Sequence, residues 1–163
     1  MNPPATITVL GVGSWGTALA LLLARNGHVV RLWGHDPQEV EPLRQERENR
    51  RYLPGLPFPP ALTVGVDLAA AVAGADWALV ATPSHAYRET LERLRAVLPT
   101  TAGLAWATKG LEPGSGRFLH EVTAEVLGAS WPVAVISGPS FAGEVARGLP
   151  TAVTVAAYDA DHA

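Results

Sequence analysis

The sequence contains no cysteine in its 163 residues. A disulfide framework and a thiolate-bound metal are thereby excluded. The five histidines are scattered, none in a pairing such as H-x-x-E-H, so no metal site is expected. Neither sign of charge is in large excess: 12 basic residues stand against 15 acidic ones, a net charge of −3. A basic surface for nucleic acid or membrane is missing, and neither is expected as a partner. No apolar run reaches the ~18 residues a membrane-spanning helix needs. Met1-Asn2-Pro3-Pro4 has no basic region ahead of an apolar one, so no secretory signal is read there. These absences fit a cytoplasmic location. No G-x-S-x-G elbow occurs, which argues against a serine hydrolase. Lysine is nearly absent as well: all basic residues but one are arginine, and Lys109 stands alone.

What remains is an apolar chain, 48% hydrophobic against 17% charged, the balance of a globular domain with a real core. Residues 1–163 are read as one domain. Its pattern alternates strand and helix. Apolar Thr6–Leu10 reads as a strand, and small or apolar residues at Trp15, Ala18, Leu19, Leu22 and Leu23 mark one helical face from Ser14 to Asn26. Gly27 suits the position after that helix. Val29–Trp33 is a second strand. Asp36-Pro37-Gln38-Glu39 then combines an N-cap, a first-turn proline and a capping-box acid. That helix is read on to Arg51, with Arg44–Arg51 as a solvated face. Four prolines between Leu53 and Pro60 make a stiff connection. A short strand at Leu62–Val66 and a small helix capped by Asp67 follow. Further strands are expected at Trp77–Ala81, Leu104–Ala107, Val133–Ile136 and Thr151–Ala157. Helices are expected at Ser84–Leu98, Arg117–Leu127 and Phe141–Arg147. Alternating elements with continuous apolar strands predict a doubly wound parallel sheet of the Rossmann type, α/β in class.

Between the first strand and first helix stands Gly11-Val12-Gly13-Ser14-Trp15-Gly16, a G-x-G-x-x-G in the context of a dinucleotide-binding turn. Gly11 allows the tight turn, Gly13 the approach of a pyrophosphate, and Gly16 close packing of helix on strand. The free N–H groups and dipole of the helix start favour phosphate there. The expected cofactor is NAD or NADP. An acidic residue about 20 positions on would select NAD. Asp36 has that spacing but looks committed to capping, which leaves His35 beside the ribose and both cofactors open.

Ligands of such sheets bind outside the carboxyl ends of the strands. Three further strand ends should meet the glycine turn. Thr82-Pro83-Ser84-His85 opens a helix; His85 is read as an acid–base candidate or simply a solvated side chain. Thr108-Lys109-Gly110 points the single ammonium into the crevice, towards a phosphate or towards an oxygen that gains charge. Ser137-Gly138-Pro139-Ser140 supplies a hydroxyl and a glycine permitting close approach, although an ordinary capped helix has the same form.

Together these segments resemble the bacterial type of NAD(P)-dependent glycerol-3-phosphate dehydrogenase. The resemblance is carried by Gly11-Val-Gly-Ser-Trp-Gly-Thr-Ala-Leu-Ala20, Leu32-Trp-Gly-His-Asp36, Tyr52-Leu-Pro54, Val80-Ala-Thr-Pro-Ser-His85, Trp106-Ala-Thr-Lys-Gly-Leu-Glu112 and Val135-Ile-Ser-Gly-Pro-Ser-Phe-Ala142. It implies that Ser14, Trp15, His35, Tyr52 and Ala142 contact the dinucleotide. It implies that Lys109 touches cofactor and substrate, and that Gly138 and Ser140 line the substrate site. The implied reaction is hydride transfer between sn-glycerol 3-phosphate and dihydroxyacetone phosphate, which feeds glycerophospholipid synthesis, and a homodimer of the full-length enzyme is compatible with it. The family carries a second, helical domain with the proton-accepting lysine. No second lysine occurs here, so this chain is expected to be the cofactor-binding domain of a longer enzyme, inactive alone. Two alternatives stay open: a related two-domain hydroxy-acid dehydrogenase, and a non-catalytic NAD(H)-sensing module.

Overall fold

A computed structural model describes residues 3–157. The elements alternate: β1 (Thr6–Leu10), α1 (Ser14–Arg25), β2 (Val29–Trp33), α2 (Pro37–Glu46), β3 (Leu62–Gly65), α3 (Leu68–Val72) and β4 (Trp77–Val80). They continue with α4 (Ser84–Arg95), β5 (Gly103–Trp106), α5 (Leu119–Leu127), β6 (Val133–Ser137), α6 (Ala142–Arg147) and β7 (Thr154–Ala157). The strands form one sheet in the order β3-β2-β1-β4-β5-β6-β7. This is the doubly wound, Rossmann-like α/β architecture, and its winding reverses between β1 and β4.

The strands are apolar on both faces because both faces are covered. Val9 and Leu79 pack with Ala18, Leu21 and Leu62 in one cluster. Their strand neighbours Leu10, Ala78 and Val80 turn to the other face, against Tyr87, Leu91 and Leu94 of α4. Leu91 and Leu94 are fully buried, each stabilising the fold by about 1.5–3 kcal/mol.

Three expectations need correction. The second helix stops at Glu46, not Arg51, because Arg47 takes a left-handed backbone, φ 56°. Its guanidinium donates to the carbonyls of Pro59 at 2.7 Å and Leu62 at 2.8 Å, so the proline-rich segment folds back on the helix end. Nor is Arg44–Arg51 all solvated: Asn49 is 1% exposed. Finally, β7 is antiparallel to β6, with Ser137 opposite Thr154. A Cβ at Gly138 would stand 2.8 Å from the Ala152 carbonyl oxygen, so the chain re-enters the sheet beside the carboxyl end of β6 and β7 runs back against it.

Candidate functional site

The carboxyl ends of β1, β2, β4 and β5 and the start of α6 enclose one crevice of about 670 Å3 at the reversal point. Its floor is the glycine turn. Gly11 has φ +119°, and a Cβ there would stand 2.9 Å from the Ala81 carbonyl oxygen. Gly16 is packed more tightly: a Cβ would lie 2.0 Å from the Gly11 carbonyl oxygen. Gly13 differs from both. An added Cβ would meet nothing within 4 Å, and Gly13 lines the crevice, so the space above it is open to a ligand.

Helix α1 begins there without a side-chain cap and without an acidic residue in its first turn. Helices α2 and α3, by contrast, are capped by Asp36, which accepts from the Gln38 amide at 2.8 Å, and by Asp67, which accepts from the Ala70 amide at 3.1 Å. The free amides of α1 thus face a site with their positive dipole end, as an anion requires.

Lys109 lies on the same rim as the glycines. Its Nζ is 5.5 Å from the centre of the Trp15 ring, within cation–π range. Among the described residues no carboxylate is within ion-pair distance of it. The loop is tied to its neighbour by the Thr108 hydroxyl, which donates to the Thr82 carbonyl at 2.8 Å.

Three buried side-chain polar atoms lack a hydrogen-bond partner among the described residues: Trp15 Nε1, Thr82 Oγ1 and Ser140 Oγ. All three residues line this crevice. Orphaned polar atoms are rare in folded proteins, and their concentration here suits a polar ligand. A dinucleotide therefore fits the residues present: open space over Gly13, uncapped amides, one unpaired ammonium and a cleft of fitting size.

Ser14, His35, Tyr52 and Ala142 also line the crevice, His35 exposed and Tyr52 at the outer edge. Gly16 lies beneath the turn. Gly138 does not line the crevice; its missing Cβ lets the Ala152 carbonyl oxygen come to a point 2.8 Å away, joining the β6 end to the segment before β7. Helix α4 forms a long flank of the crevice beyond the strand ends. His85, Glu89 and Arg93 recur every four residues and all face the crevice. That spacing is a helical stripe and was open to a period-based reading. Glu39 of α2 is a further lining residue. Among the described residues no group of three or more potential metal ligands occurs, and no helix is long and apolar enough to cross a membrane.

Known proteins match this chain along nearly its whole length. It is 63% identical over 149 residues to a glycerol-3-phosphate dehydrogenase [NAD(P)+] of Stenotrophomonas maltophilia, covering 91% of this chain and 44% of that protein. A protein of the same name from Xanthomonas campestris is 56% identical over 159 residues, covering 98% of this chain and 47% of its own length. The crystal structure of glycerol-3-phosphate dehydrogenase from Coxiella burnetii superposes with a TM-score of 0.92 at 47% identity, covering 97% of this chain and 48% of that one. The chain thus spans about half the length of the relatives it matches. The family described as NAD-dependent glycerol-3-phosphate dehydrogenase N-terminus matches residues 6–163, and the chain belongs to that family.

Proposed function

We propose that the crevice binds NAD or NADP and that this chain is the cofactor-binding domain of an enzyme interconverting sn-glycerol 3-phosphate and dihydroxyacetone phosphate. The observation that carries the reading is the shared rim: the only lysine sits over Trp15, one residue from Ser14 and two from Gly13. A bound nicotinamide would supply the hydride chemistry. Gly13 leaves room for the pyrophosphate, and the first amides of α1 hold its charge. Trp15, His35, Tyr52 and Ala142 flank the dinucleotide. Ser140 offers a buried hydroxyl to the substrate, and Gly138 shapes the backbone beside it. Lys109 offers its ammonium to the substrate oxygen on which negative charge develops. The proton acceptor lies outside these 163 residues, so the chain alone turns over little or nothing. The same reading puts the enzyme in the cytoplasm, where its product enters glycerophospholipid synthesis; a homodimer of the complete enzyme is compatible with it.

The test is Lys109→Ala in the complete protein. We expect kcat/KM for dihydroxyacetone phosphate to fall by about 10²–10³ with the melting temperature retained. A complete protein that binds NADH yet shows no turnover before mutation would favour a nucleotide sensor. Robust substrate-dependent NADH oxidation by residues 1–163 alone would overturn the view that the proton acceptor lies elsewhere.

A further inference from the structure

Asn49 is a buried polar side chain, 1% exposed, in the irregular segment between α2 and β3. Nothing in its charged surroundings, Glu48 and Arg50, marks it as interior. Its side-chain amide donates to the Val12 carbonyl oxygen at 2.9 Å and to the Thr17 hydroxyl at 2.9 Å. The Thr17 hydroxyl in turn donates to the same Val12 oxygen at 3.3 Å. On its other side, Asn49 Oδ1 accepts from the Tyr52 amide at 3.3 Å. One amide group therefore ties the middle of the glycine turn to the residue at the outer edge of the crevice.

The consequence follows from peptide planarity. The Val12 carbonyl and the Gly13 N–H belong to one rigid trans unit and point in opposite directions. Two buried donors hold the Val12 oxygen inwards. The Gly13 N–H is thereby turned the other way, away from that interior, on the residue whose missing side chain opens the crevice floor. We propose that Asn49, with Thr17, is a positioning residue that fixes the Gly13 amide as a phosphate donor and couples it to the Tyr52 edge. This rests on the cofactor reading above and extends it to a residue outside the crevice. Thr17 is fully buried and starts no other hydrogen bond with its side chain among the described residues, so its hydroxyl serves the same carbonyl. Releasing the carbonyl frees the peptide to rotate, and the donor must then be reordered whenever an anion binds.

The experiment compares Asn49→Asp, Thr17→Val and Thr17→Ser in the complete protein, with NADH, ADP-ribose and adenosine as probes in calorimetry. Asp keeps the shape of Asn49 and removes the amide donor. Asn49→Asp is expected to weaken NADH and ADP-ribose by about tenfold or more while adenosine, which has no phosphate, changes by less than about twofold. In steady state the loss should fall on KM for NADH more than on kcat. Thr17→Val should weaken the same two ligands, and Thr17→Ser, which keeps the hydroxyl, should restore them. Equal weakening of all three probes would mean general disorder of the segment and would overturn the proposal. So would unchanged NADH and ADP-ribose affinity in Asn49→Asp and Thr17→Val. If Asn49→Asp does not fold, the Val and Ser pair at Thr17 decides alone. A wild-type protein that binds neither NADH nor ADP-ribose would instead refute the cofactor reading itself.

Discussion

Two glycines of one turn, Gly16 and Gly13, meet opposite surroundings, and each predicts a different mutant. Gly16→Ala forces a methyl against backbone, 2.0 Å from the Gly11 oxygen, where neither partner is a flexible side chain. It should cost at least about 2 kcal/mol of stability in chemical denaturation. Gly13 has ordinary φ −68° and open space around it. Gly13→Ala should therefore leave stability within about 1 kcal/mol of wild type. Its methyl nevertheless enters the crevice, and NADH affinity should fall by about tenfold or more in fluorescence titration. A Gly13→Ala protein that binds NADH normally would show that the pyrophosphate lies elsewhere. The tight turn at Gly11 and the close packing at Gly16 were legible in the sequence, because a glycine motif between strand and helix has only one common geometry. Asn49 was not legible. A polar residue among charges reads as solvent-facing, and only the chain folding back at Arg47 makes it interior.

At the scale of elements, the loop after β5 is braced by charge. Arg88 of α4 pairs with Glu112, Nε to Oε1 at 2.6 Å, and with Glu125 of α5, Nη1 to Oε1 at 3.1 Å. Glu112 also accepts from the Ser115 hydroxyl, and Glu125 pairs with Arg117. The loop that leaves Lys109 is thus fastened to the two helices beneath it. The Arg88 hydrogen bond, helped by Ser115, lowers the Glu112 pKa from 4.5 to about 2. A carboxyl depressed on folding contributes stability above its unfolded pKa. That contribution fades as pH falls from about 4.5 towards 2. Glu112→Gln should lower stability at neutral pH and flatten the acid limb of the stability curve over that window. Thermal melts at pH 6 and pH 3 check it; an acid limb identical to wild type would remove this pair from the account. Most elements were readable from period and caps: β1 and β2 lie where the apolar runs end, and α4 buries Tyr87, Leu91 and Leu94 as its spacing requires. Helix α5 begins at Leu119, two residues later than its pattern suggests. There the Phe118 amide donates to the Glu121 carboxylate at 2.9 Å, a cap that the glycine-rich approach concealed.

For the whole molecule, the distribution of exposed apolar side chains is uneven. Val29, Tyr52 and Val66 are exposed in the first half of the described chain, against Val97, Leu111, Phe118, Phe141, Leu149, Val153 and Val155 in the second, with Phe141 at 72%. Large uncovered apolar surface drives association in water. Residues 1–163 on their own should self-associate, with a light-scattering mass that rises with concentration. Phe118→Ser combined with Phe141→Ser should reduce it; a clean monomer at high concentration would count against the expectation.

By itself, the sequence determined the class of fold, the alternation of elements and the glycine turn, since these follow from short-range periodicity, capping and backbone sterics. It also singled out Lys109 as the lone ammonium. The tertiary structure alone decided which strands are neighbours, and so that the winding reverses between the paired strands β1 and β4, at the crevice. It alone set β7 antiparallel, turned the face of α4 carrying His85, Glu89 and Arg93 towards the cleft, and buried Asn49 behind Val12. Those outcomes depend on contacts between residues distant in the chain, which local pattern does not encode.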